Sequence, residues 1–396
     1  MKSGVIVVVA LLAGACEPST SSESRLPEDE AASVTIDTTG STSIVITREP
    51  EVRIGARDGP DGDALHLVSG ALRLGDGRIV IANRGTSELR FYDAAGKEIS
   101  RVGRAGEGPG EFGILRTLSR MHGDTLAVWD SRLRRLTYIG PDGRILETVH
   151  PDIETRTSTS SVTGVARAWA APVGTIIMLE DTELLDSHGE DGPTRDTAAI
   201  LIHERTGEQR VRIGPLPGVE WLRRPGAGMV RPFGHLFLLA LGRDYFYTGS
   251  GKPGRIDRYD YDGARLASLR IPLEPVPVSD ADYTAVVDSF LLRLAEDSRP
   301  RARDYLHSFA RPVARPVYSA LFVDGLDRLW IRIHHPPWGQ FQDWWVVDGE
   351  ARAAARVRLP RDVTVLDASD DEVILIVRDA LGVEQVHVHR LIATNQ

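Results

Sequence analysis

From residue 50 onward, short apolar runs of four to six residues alternate with glycine- and aspartate-rich turns. The stretch Val102–Ile145, VGRAGEGPGEFGILRTLSRMHGDTLAVWDSRLRRLTYIGPDGRI, shows the unit in full. A glycine-rich lead enters a strand, a GD turn follows, then two β-rich runs, a PDG turn and a closing strand. Such runs, bounded by turn residues, predict strands joined as hairpins. Asn83 and Asp130 stand 47 positions apart, as do Gly96 and Gly143, so the first two units are copies of one pattern. One small sheet with two apolar faces cannot bury both alone, so neighbouring units must stack on it.

The first unit runs over 65–103 and the second over 103–149. The third covers about 162–214, with 181–194 expected as a polar loop. The fourth covers about 229–271, the fifth about 316–359, and the sixth, 363–391, supplies three strands only. EVRIG at 51–55 has the look of the closing strands EISRVG (98–103) and QRVRIG (209–214) but precedes any unit of its own. It therefore supplies the missing strand of the sixth. The expected fold is all-β: a six-bladed β-propeller over 44–391, closed by an N-terminal strand in the last blade. Between the fourth and fifth units the pattern switches to helical spacing. Ser279 and Asp282 read as a capping box. Tyr283, Val286, Val287, Phe290, Leu291 and Leu294 then form an apolar stripe. A helical insertion is expected over 279–309.

Composition changes this picture little. The 396 residues carry a formal charge of -9, from 47 basic and 56 acidic side chains, and no basic cluster with interleaved aromatics. No nucleic-acid partner is expected. The chain has one cysteine, Cys16, which excludes an internal disulfide or a cysteine-based zinc site. Val5–Ala15 is an apolar run of signal-peptide length. It ends AGAC, which resembles the bacterial lipobox, with Ala13 where leucine is usual. The resemblance implies lipidation of Cys16 and anchorage in the bacterial cell envelope, in the outer or the inner membrane. Residues 17–32 are rich in serine, glutamate and proline and read as a flexible tether, and 33–47 as an extended segment.

The second unit closely resembles the NHL repeat. Gly103, Gly106, Gly108, Pro109, Gly110 and Phe112 match its lead, and Asp130 and Arg134 its later positions. Taken whole, the chain is similar to six-bladed propeller lipoproteins of bacteria, in which a helical insertion precedes a VDxxGRLW-like strand, here 323–330. The resemblance implies a scaffold that binds protein, peptide or glycan.

Candidate chemistry lies where the inner strands begin, over the central channel. His66, Arg116, Arg167, Arg231, His235 and Tyr318 would give a cationic mouth able to meet a carboxylate or sulfate. Trp338 and Phe341, in the most aromatic stretch, are candidates to stack on a sugar or peptide. Asn83 and Asp130 are expected to cap their own turns, and Asp130 with Arg134 to form an ion pair. The main reading is a non-catalytic, lipid-anchored binder of an envelope protein, peptide or glycan, expected as a monomer. The alternative is a metal-dependent hydrolase or lactonase with its site at the channel mouth. No cofactor is demanded by the residues; calcium is the ion kept open, with Glu51, Asn83, Asp130, Glu180 and Asp324 as its oxygen donors. No G-x-S-x-G or H-E-x-x-H motif occurs.

Overall fold

The computed structural model describes residues 32–55, 64–154, 156–157, 161–184, 192–224, 227–249, 254–292, 294–335 and 339–394. Cys16 and the signal-like segment lie outside them, as does Trp338.

Six antiparallel sheets form the blades of a propeller. Blade one consists of Val68–Arg73, Ile79–Asn83, Glu88–Tyr92 and Glu98–Val102, paired in that order from the channel outward. Blade two repeats it with Leu115–Arg120, Leu126–Asp130, Arg135–Ile139 and Ile145–Val149. Burial follows position. Every residue of Ile79–Asn83 is buried, whereas Glu98–Val102 is largely exposed. The middle strands meet neighbouring blades on both faces and so read as unbroken apolar runs, IVIAN and LAVWD. Each of the six blade-to-blade contacts has its own apolar cluster, which closes the ring. Trp344 and Trp345 point to opposite faces of their strand, and each packs into a different one of these clusters.

The turn before each outermost strand explains one recurrent glycine. Gly96 and Gly143 have φ of 85° and 83°. A Cβ on Gly96 would stand 2.5 Å from Val52 Cγ1, and one on Gly143 3.0 Å from Val102 Cγ2. Each turn lies against the outer strand of the preceding blade, which leaves no room for a side chain.

Blade six is completed as expected. Val52–Ile54 pairs antiparallel with Glu384–Ala393, outside Glu372–Arg378 and Thr364–Ala368. The preceding residues do more than the sequence indicated. Thr42–Ile46 pairs with Glu384–Ala393 and also, in parallel, with Ala353–Pro360 of blade five. Ala32–Thr35 adds a parallel fifth strand to blade four, beside Arg265–Arg270, and Ile36 is buried between blades four and five.

Blade three departs from expectation. The polar loop expected over 181–194 is in part strand: Ile176–Leu184 and Gly192–His203 run on past the blade and keep pairing, Thr182 opposite Thr197. Gln209–Arg224, 16 residues long, follows them and folds back through Ala227–Val230. The inner strand of blade four is therefore Leu238–Leu241, later than the sequence placed it. This ribbon rises from the face where inner strands begin, called here the top.

The insertion also lies on the top. Helix α1, Asp280–Leu291, starts at Ser279, whose hydroxyl accepts from Asp282 N–H while the Asp282 carboxylate accepts from Ser279 N–H. Tyr283, Val287 and Leu291 form its buried stripe and meet Leu306 of α2, Arg299–His307, and Leu222 and Phe233 of the ribbon region. Tyr283 Oη donates to Leu306 O at 2.9 Å and Tyr305 Oη to Leu222 O at 2.8 Å. Ribbon and helices thus make one superstructure over blades three to five.

Candidate functional site

The six candidate residues at the inner-strand starts separate into different places. His66 is exposed, and its backbone N–H donates to Asn83 Oδ1 at 2.8 Å. Arg116 and Arg167 line a cavity of about 470 Å3 at the top of the channel, between blades six, one, two and three. Arg84 joins them from the turn after Ile79–Asn83, with Trp169, Arg378 and Glu384. Glu384 is engaged: it pairs with Arg378 at 2.7 Å and accepts from Val68 N–H at 2.7 Å. Arg84, Arg116 and Arg167 have no hydrogen-bonding or ion-pair partner for their side chains among the described residues. Burial, then the charges of Arg167 and Arg84, hold the Arg116 guanidinium below its ordinary pKa. A guanidinium stays charged regardless, so that shift registers chiefly its burial, with two like charges beside it adding to the cost.

Arg231 and His235 do not head an inner strand, because Ala227–Val230 belongs to the ribbon. They sit in the turn that follows it, on either side of Glu220, with His235 Nδ1 at 3.1 Å and Arg231 at 3.7 Å from its carboxylate. With the buried Tyr318 they line a second cavity, between blades four and five. The Tyr318 hydroxyl donates to Arg255 O at 2.6 Å. Burial raises its pKa, so it remains a donor at neutral pH. Arg332 and His334, absent from the sequence-based set, line this cavity too. Burial first, then the charges of Arg315 and Arg332, pushes His334 down to about 4. Phe341 is 49% exposed at the start of Phe341–Val347, beneath the Arg358 guanidinium at 5.8 Å, and lines neither cavity.

The expected turn caps are present. The Asp130 carboxylate accepts from the N–H groups of Gly113, Ile114, Arg132 and Leu133 at 2.6–3.0 Å. Asn83 accepts from His66 and donates to Thr86. The expected Asp130–Arg134 ion pair does not form. Arg134 takes a positive φ of 52° and donates to Ile153 O at 3.2 Å.

The oxygen donors considered for calcium do not make a cage. Glu51 pairs with Arg390 and Glu180 with Arg212. Asp324 accepts from Arg328 and from Trp330 Nε1. Among the described residues no group of three or more His, Cys, Asp or Glu is placed to hold a metal ion. These residues do not fit the ion.

The wide lower part of the channel, about 1000 Å3, is lined by inner strands of all six blades. Asp367 faces it. Burial pushes its carboxyl up to about 6, against the opposing pull of Arg120.

No family model matches the chain, and no curated protein matches it. Among solved structures it is similar to a protein of Bacteroides fragilis whose name describes it as exported. The identity is 11%, the TM-score 0.50, and the match covers 92% of this chain and all of that one. It is also similar to a member of the DUF4221 family from Bacteroides vulgatus (9% identity, TM-score 0.48, covering 89% and 99%). A third is a gluconolactonase of Xanthomonas campestris (11%, 0.40, covering 88% and 100%). At this identity the first of these likenesses shows the propeller fold and nothing of the activity.

Proposed function

We propose that the protein is a binding module whose top-face channel mouth takes an acidic segment of a peptide or glycan. Its carboxylates or sulfates would meet Arg84, Arg116 and Arg167. One observation carries this reading: three guanidinium groups face one cavity, none with a counter-charge of its own among the described residues. Crowding like charges is costly, and an incoming anion relieves that cost with charge-assisted, paired hydrogen bonds. Trp169, at the wall of the same cavity, offers a flat apolar surface beside the charges. A position in the cell envelope, anchored through a lipid on Cys16, belongs to the same proposal. The lipobox-like AGAC supports it.

The test is calorimetric titration with polyglutamate and with a sulfated oligosaccharide. Binding of at least one is expected, weakening as salt rises. The Arg116→Gln and Arg167→Gln variants are each expected to bind about 10- to 100-fold more weakly. Unchanged affinity in both variants overturns the reading.

The second reading is a metal-dependent hydrolase or lactonase at the same mouth. Glu384 is the one carboxylate lining that cavity among the described residues, and a metal there would have to take it from Arg378 and Val68 N–H. This reading requires calcium to raise the melting temperature of the protein and EDTA to lower it. No shift in either direction removes it.

A further inference from the structure

The second cavity, about 230 Å3, shares no lining residue with the channel mouth. It lies between blades four and five, below the ribbon and the helical insertion, and its lining is more apolar than that of the mouth. Phe233, Leu238, Val317 and Tyr318 form much of its wall. Its polar lining includes Arg332 and His334, from Leu329–Ile333 and the turn just after it, together with Arg231 and His235.

We propose that this cavity is a binding site for a small monocarboxylic acid. The Arg332 guanidinium holds the carboxylate, and the apolar wall around Phe233, Leu238 and Val317 holds the carbon skeleton.

The charge inventory carries the proposal. The neighbouring arginines each have a carboxylate within reach: Arg231 shares Glu220 with Arg195 and His235, and Arg315 pairs with Asp282. Arg332 has none among the described residues. Its contacts are Ser319 Oγ at 2.9 Å, Ser319 O at 3.4 Å and the face of Trp344 at 5.8 Å. Burial lowers its pKa, yet a guanidinium keeps its proton in proteins. A partly buried cation that cannot neutralise itself and lacks a counter-ion stands at a desolvation cost. A carboxylate offered in the plane of the fork is the geometry that removes that cost. Beside it, His334 Nδ1 is buried without a hydrogen-bond partner. A ligand hydroxyl satisfies that nitrogen in either tautomer, since it both donates and accepts. The volume is below the ~300–1,000 Å3 usual for drug-sized ligands, which sets the occupant as a small acid and not a polymer.

The probe is 2-hydroxy-3-methylbutanoate, titrated into the full-length protein, with its uncharged amide as the control of nearly equal shape. One acid per chain is expected to bind saturably. The amide is expected to bind at least about thirtyfold more weakly, the loss typical of leaving a buried charge unpaired. Arg332→Gln should lose acid binding to the same extent, while Arg116→Gln, at the other cavity, should keep it. Should Arg332→Gln fail to fold, the acid-to-amide comparison on the unaltered protein decides alone. Equal binding of acid and amide overturns the proposal. So does retention of the acid by a folded Arg332→Gln protein, or no saturation by ~10 mM.

Discussion

Asp130 is fully buried at the end of Leu126–Asp130, and its carboxylate is shared among four backbone N–H groups. Asp130→Ala should therefore lower the unfolding free energy by roughly 2 kcal/mol, since four part-buried N–H donors lose their acceptor. Denaturant titration measures it. Asp367 behaves in the opposite sense. Its folded-state pKa is raised to about 6, while an unfolded aspartate titrates near ~3.9. The folded chain thus holds a proton that the unfolded chain has released. Stability from that proton is fully present below ~3.9 and is lost as pH rises through about 6, amounting to ~3 kcal/mol. Asp367→Asn cannot ionise, so its melting temperature relative to the parent protein should rise between pH 4 and pH 8. A constant difference across that range contradicts the assignment. The turn-capping role of Asp130 was legible in the sequence, because a short carboxylate after an apolar run has few other uses. The burial of Asp367 was not: LDA at 366–368 gives no sign that the ring places this carboxylate against the channel.

Among elements, the plain blades were the most legible. In blades one and two the period of the apolar runs and the spacing of the glycines located every strand. The Gly143 turn shows why that spacing is kept: positive φ and Val102 of the preceding blade together exclude a side chain. Gly143→Ala is expected to cost ~2 kcal/mol, from left-handed strain plus displacement of Val102. Gly123→Ala is the matched control. Its φ is also positive, at 70°, but nothing lies within 4 Å of the added carbon. The smaller loss expected there isolates the packing share. The ribbon of blade three was misread over 181–184 and 192–194 because polar and threonine-rich strands that stand clear of the ring lack an apolar stripe. Their register comes from pairing with each other, Thr182 to Thr197 and Arg195 to Glu220, which a single chain position does not announce. That error moved the inner strand of blade four. Arg231 and His235 were consequently assigned to a mouth they do not line.

The ring as a whole decides which cations meet. Arg84, Arg116 and Arg167 come from three blades and lie within reach of one cavity only because the blades close, so no local motif marks them as a set. Closure itself was half legible: EVRIG at 51–55 pointed to the last blade. The two strands before it carried no such sign, since parallel pairing at an outer edge leaves only a short β-rich run. A chain beginning at residue 48 lacks both and should melt well below the full-length protein while keeping its β-sheet signature. An unchanged melting temperature would show that the ring closes through Val52–Ile54 alone. The pairing of Thr42–Ile46 with Ala353–Pro360 and Glu384–Ala393 also sets a schedule for synthesis. Thr47 emerges first, yet its partner His389 follows 342 residues later. Until Glu384–Ala393 has been made, the growing polypeptide cannot close the ring through these strands, so closure waits on the synthesis of almost the whole ring.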